Sequence, residues 1–140
     1  MTETEKIRAL IAYRLEQADE ALRAAEMNLA AAMERSAVNR AYYAMFYAVL
    51  ALLATRQAET SRHSGALSLF DRYFVKPGSL PREFSRWLHE AFSKRQDADY
   101  ATDFAMTTAE VSELTRRARE FVAGVQEFLR EQDYISTSVE

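Results

Sequence analysis

Ser36-Ala-Val-Asn-Arg40-Ala-Tyr-Tyr-Ala-Met45-Phe-Tyr-Ala-Val-Leu50-Ala-Leu-Leu-Ala-Thr-Arg56 contains no glycine and no proline. Placed at 3.6 residues per turn, Val38, Ala41, Tyr42, Met45, Val49 and Leu52 form one apolar face. Arg40, Tyr43, Tyr47 and Leu50 form the opposite face. A helix that is apolar on two sides has to bury both. It is therefore the central helix of a bundle, or one shared between a core and a subunit interface. Its longest apolar run, Ala41 to Ala54, is bracketed by Arg40 and Arg56 and falls short of the about 20 residues that a bilayer requires. No membrane partner is expected.

Outward from this segment the same period recurs. Ile7, Ile11, Leu15, Ala18, Leu22, Ala25 and Leu29 mark a first helix over roughly Thr4 to Met33, with Asp19 and Arg23 spaced to pair. A third starts near Ser61 to Ser64 and runs to Val75, burying Leu67, Phe70 and Phe74. Lys76-Pro77-Gly78 ends it, since proline cannot continue the ladder and glycine accepts a left-handed cap. A fourth begins at Pro81 with the stripe Phe84, Trp87, Leu88, Ala91, Phe92. Asp97 to Met106 reads as a loop. Thr107-x-x-Glu110 is a capping box that opens a last helix carrying Val111, Leu114, Ala118, Phe121, Val122, Val125 and Leu129. The expectation is one all-α domain over residues 1–140, an up-and-down antiparallel bundle of four to five helices. Its core covers about 4–130, with a polar, frayed tail over 132–140.

Composition narrows the chemistry. With 18 Lys and Arg against 21 Asp and Glu, the net charge is −3, so no overall basic footprint for DNA exists. There is no cysteine, and two histidines alone cannot hold zinc. Asp97, Asp99 and Asp103 lack the glycine and the spacing of a calcium loop, so no metal or other cofactor is expected. The charged N-terminus has no signal-peptide apolar region, which reads as cytoplasmic. Phosphate loops and nucleophile motifs are missing too. What stands out is Arg95, which extends the apolar stripe of the fourth helix. A guanidinium there needs an anion: either Asp97 or Asp99 nearby, or a ligand. His63 stands at a helix start and can cap or bind an anion; His89 sits off its stripe and reads as a surface residue.

The order of these motifs resembles the HEPN superfamily, the higher eukaryotes and prokaryotes nucleotide-binding domain. The likeness is carried by Ser36-Ala-Val-Asn-Arg-Ala-Tyr-Tyr-Ala-Met-Phe-Tyr-Ala, His63-Ser-Gly with Phe70, Phe74-Val-Lys-x-Gly-Ser-Leu, and Phe92-x-x-Arg95-x-x-Ala-Asp-Tyr100. It spans about Ile7 to Leu129 and is nearest to the small, stand-alone prokaryotic members. The resemblance implies a helical bundle that is often a homodimer. It also implies metal-independent ribonuclease activity in many members, frequently as toxins, and a minimal nucleotidyltransferase as antitoxin partner. The family's ribonuclease motif is Arg, four to six residues, then His, with the Arg steadying phosphate and the His moving protons. Here Arg95 matches and Tyr100 stands where the histidine would be, and a tyrosine with a pKa near 10 is a poor proton shuttle at neutral pH.

The favoured reading is therefore a nucleotide- or RNA-binding partner of a nucleotidyltransferase in a toxin–antitoxin-type system. Arg95, His63 and Arg40 hold phosphate, and Tyr100 is a candidate acceptor for nucleotidylation. The alternative is a metal-independent ribonuclease toxin using Arg95 with Tyr100 or His63 as catalytic groups. A helical interaction module without nucleotide is the third. Tyr43, Tyr47 and Leu50 are the expected dimer interface.

Overall fold

The computed structural model describes residues 1–60 and 62–136. All regular elements in it are helical: α1 Glu3–Ala30, α2 Glu34–Thr55, α3 His63–Phe70, α4 Arg82–Tyr100 and α5 Thr108–Glu131, with a π-helical turn, Asp71–Val75, continuing α3. Helix α2 packs against each of the other four, so it is the central helix. It is long and apolar enough to cross a membrane, but most of it is buried inside the bundle, as in the core helix of a helical domain.

Helix directions follow from cross-helix bonds. Arg119 of α5 binds Glu26 of α1, and Gln126 binds Asp19, so these two helices run antiparallel. Arg35 and Asn39 of α2 reach the far end of α4, which makes that pair antiparallel as well. The core is the set of stripes read from the sequence. Ile11, Leu15, Ala18, Leu22 and Ala25 of α1 are buried with Val38, Ala41, Tyr42, Met45, Val49 and Leu52 of α2. Phe70, Leu88, Phe121 and Leu129 complete it from the other helices. Burying such side chains contributes about 1.5–3 kcal/mol each, offset by the entropy of ordering them.

Four details depart from the expectation. Helix α4 does not stop before Asp97 but continues to Tyr100, leaving only residues 101–106 as the loop. Ala98 is buried, Arg95 pairs with Asp99 one turn on, and Arg35 donates to the carbonyls of Ala98 and Ala101 (2.8 and 2.9 Å), so the last turn is anchored from α2. Asp19 accepts from Gln126 across the bundle rather than pairing with Arg23. The segment after 132 is not wholly a polar tail, because Tyr134 and Ile135 pack against the core. Finally, α3 turns π-helical at Asp71, where Lys76 N–H donates to the Asp71 carbonyl. The expected third-helix start at Ser61, and the tail positions 137–140, lie outside the described residues.

Candidate functional site

On the second face of α2, Asn39, Arg40 and Tyr43 follow one another at helical spacing and face the last two turns of α4. The Arg95 guanidinium donates from Nη2 to the Tyr43 hydroxyl (2.8 Å) and packs over the Tyr42 and Tyr43 rings, 5.7 and 5.3 Å from their centroids. Its Nε lies 3.0 Å from Asp99 Oδ2, and the pair is mostly buried, with the Arg95 side chain 15% exposed. This contact is an ion pair off the N–H direction, so the buried Nε still lacks an aligned acceptor. Asp99 in turn accepts from Asn39 Nδ2 at 3.1 and 3.2 Å, and Asn39 Oδ1 accepts from Arg40 Nε and Nη2 at 3.0 and 2.9 Å. The Arg40 guanidinium rests 4.9 Å from the Tyr43 centroid.

His63, the first residue of α3, closes the other side. Its Nδ1 is 2.7 Å from the Tyr42 hydroxyl, and its ring stacks on Phe46 with centroids 4.2 Å apart and planes 10° apart. It also packs 5.7 Å from each of the Tyr42 and Tyr43 centroids. Burial, then the Arg95 charge, hold its pKa below histidine's usual range, so the ring is neutral near pH 7. The Tyr42 hydroxyl is pushed well above the usual tyrosine range by burial and remains protonated. It can donate to Nδ1 or accept from it, and that choice fixes whether Nε2 carries a proton or a lone pair.

The structure thus brings together Arg95, His63 and Arg40 around Tyr42 and Tyr43. It does not bring in Tyr100. That side chain ends α4 at 77% exposure and faces solvent, while Asp99, one residue earlier, faces Arg95. Tyr47 and Leu50 lie further along the α2 face, half-buried, with Tyr47 against Tyr43 and Phe46. His89 is at the surface, 2.8 Å from Asp71. No cluster of metal-ligating side chains forms among the described residues. A buried tyrosine hydroxyl needs a partner, which Tyr42 finds in His63, whereas Asn39 was not singled out from the sequence. The signal for Asn39 was its one-turn step to Tyr43 on the same face as Arg40.

Around the central helix, Arg40 of α2, Arg95 of α4 and a neutral His63 of α3 thus gather on the Tyr42 and Tyr43 rings beside the Arg95–Asp99 ion pair. The HEPN domain family matches residues 11–128, and the chain belongs to that family. It is 35% identical over 131 residues to a UPF0332 protein of Thermotoga maritima, covering 94% of this chain and 97% of the relative. Two proteins of Methanocaldococcus jannaschii that are provisionally named as toxins are similar as well. One is 35% identical over 127 residues, 91% of each chain. The other is 33% identical over 115 residues, 82% of this chain and 78% of the relative.

Proposed function

We propose that this protein is the nucleotide- or RNA-binding half of a toxin–antitoxin-type pair, acting in the cytoplasm as a homodimer and partnered by a minimal nucleotidyltransferase. Phosphate is held at Arg95. The observation that carries the reading is the mostly buried guanidinium, stacked on two tyrosines, whose Nη1 donates to no group among the described residues. A phosphate oxygen would accept a charge-assisted bond from Nη1, while Asp99 and Tyr43 hold the other edge of the guanidinium. The toxin names of the two archaeal relatives support the system, and the family supports the ligand class.

A second reading, metal-independent RNA cleavage, is favoured by His63, which shares the Tyr42 and Tyr43 rings with Arg95 and is neutral near pH 7. With Nδ1–H donated to the Tyr42 oxygen, Nε2 takes the proton of a 2′-hydroxyl. The 2′-oxygen then bonds to phosphorus as the bond from phosphorus to the 5′-oxygen breaks, the leaving oxygen takes a proton from water, and Arg95 stabilises the charge on the phosphorane. In this reading His63 replaces Tyr100 as the partner of Arg95.

Both readings are tested by incubating the protein with single-stranded RNA in EDTA and following binding and end products. Arg95→Gln should abolish binding with helix content intact. His63→Gln should leave binding in place and remove any 2′,3′-cyclic product, while Tyr100→Phe changes neither. Full binding by Arg95→Gln would sink the first reading. Cleavage surviving in His63→Gln, or no cleavage by the unaltered protein, would sink the second.

A further inference from the structure

A cleft of about 430 Å³ opens between the N-terminal turns of α2 and the end of α4, next to Arg95 but lined by different residues: Asn28, Arg35, Ser36, Asn39, Arg40 and Asp99. Its charges are unequal. Asp99 is already met by Arg95 and by the Asn39 amide. Arg35 spends its hydrogen bonds on the carbonyls of Ala98, Ala101 and Thr102 and has no carboxylate partner among the described residues. Arg40 likewise pairs with no carboxylate there; its only hydrogen bonds are from Nε and Nη2 to Asn39 Oδ1, which leaves Nη1 uncommitted. The side chains of Asn28 and Ser36 make no hydrogen bond among the described residues.

Arg40 is also unusually well held for a cation without an anion. The Asn39 amide has one orientation that satisfies both neighbours, with the oxygen toward the Arg40 guanidinium and the nitrogen toward Asp99. The Tyr43 ring supports Arg40 from the side at 4.9 Å. An arginine fixed in advance loses little side-chain freedom when it binds an anion. Because Arg40 and Arg95 both stand over the Tyr43 ring, their two sites lie close enough for neighbouring phosphates of a single strand.

We infer that this cleft is a second phosphate subsite, in which Arg40 is the binding residue and Asn39 its positioning residue, so that the ligand is a single-stranded RNA of at least two phosphates and not a mononucleotide. The inference rests on the Arg95 reading above and deepens it. A mononucleotide would occupy Arg95 alone and leave a pre-formed cation facing solvent.

The test uses a fluorescently labelled 2′-O-methyl oligonucleotide, which cannot be cleaved, and UMP as a one-phosphate competitor, titrated at several salt concentrations. Arg40→Gln should weaken the oligonucleotide about tenfold at low salt and shallow the salt dependence by about 0.7, one phosphate's worth for a single strand. UMP affinity should stay as in the unaltered protein. Asn39→Ala should reproduce part of the affinity loss with little change in salt slope, because the charge remains and only its orientation is lost. Circular dichroism confirms that each variant is folded. Unchanged oligonucleotide affinity and slope in Arg40→Gln, while Arg95→Gln abolishes binding, would overturn the second subsite and leave the Arg95 reading standing. Equal losses for UMP and oligonucleotide in Arg40→Gln would also overturn it, since one phosphate would then touch both arginines. Binding that survives Arg95→Gln but is lost in Arg40→Gln would overturn both, because the cleft would then be a lone site and not a second one. No oligonucleotide binding by the unaltered protein would overturn both.

Discussion

Burial and the nearby Arg95 guanidinium both disfavour a charged His63, and this has a consequence for stability that does not depend on any ligand. The unfolded chain takes up a proton at this histidine as pH falls through about 6.5, whereas the folded protein waits for a lower pH. Between the two values the unfolded state holds more protons, so stability falls as pH falls, and the contribution is fully present only above about 6.5. His63→Phe keeps the stack on Phe46 but has nothing to titrate. Its urea midpoint should therefore drop less between pH 7.5 and pH 5.5 than that of the unaltered protein, even though loss of the Tyr42 partner lowers its stability overall. Equal drops would show that His63 is not the group responsible. At this scale the sequence exposed Arg95, because a cation continuing an apolar stripe breaks the pattern. It also offered Asp99 as the partner of Arg95, which the structure bears out, but it could not expose Asn39. An asparagine on a helix reads as solvated, and the choice between Asp97 and Asp99 is settled only when the last turn of α4 is seen to be pinned by Arg35.

Helix interiors were legible because the 3.6-residue stripes and the Thr107–Glu110 capping box are explicit in the residues, and the capping box forms with both of its hydrogen bonds. Proline and glycine mark one helix end, at Gly78 with φ +89°, and α2 and α5 end at Thr55 and Glu131, within a residue of Arg56 and of the polar tail's start at Gln132. Helices α1, α2 and α5 end instead on left-handed Ala32, Gln57 and Asp133, each followed by an N–H that donates five residues back, from Met33 to Asn28, Ala58 to Leu53 and Tyr134 to Leu129. A left-handed alanine strains its Cβ, so Ala32→Gly should raise stability by about 0.5–1 kcal/mol in urea unfolding. The reverse substitution inside a helix should fail. Gly124 of α5 faces Phe84, and an added Cβ would stand 2.6 Å from that ring's Cε2 and Cζ. Phe84 is itself wedged against Trp87 and Phe121, so it has little room to retreat. Gly124→Ala should therefore cost about 1–3 kcal/mol, although alanine is the better helix former. A gain in stability would mean that Phe84 relaxes freely. The packing of α4 on α5 is what explains a glycine inside this helix.

At the scale of the whole molecule, one surface is unaccounted for by the bundle. Tyr43, Phe46, Tyr47 and Leu50 stay half-buried on the outer side of α2, although α2 touches every other helix. Phe46 and Leu50 continue into an open groove of about 850 Å³ whose other wall is Ile7, Leu10 and Arg14 of α1, and Leu10 and Tyr13 remain exposed beside it. Placement of α2 at the centre was readable from its two apolar faces; what covers the second face was not, because a single chain carries no record of its partner. A second copy docked about a two-fold axis is the simplest cover, since an isologous interface lets the same patch bury itself. It would also set two Arg95–His63 clusters on neighbouring surfaces, as Tyr43 belongs both to the patch and to the cluster. Light scattering at micromolar concentration should then report about twice the chain mass of 16.0 kDa. Tyr47→Arg places a charge in the middle of the patch, where burying it unpaired is costly. It should return the protein to the monomer mass, with helix content and the His63-dependent acid response unchanged, because Tyr47 lies outside the buried core. A monomer for the unaltered protein, or a dimer undisturbed by Tyr47→Arg, would place the interface elsewhere or remove it.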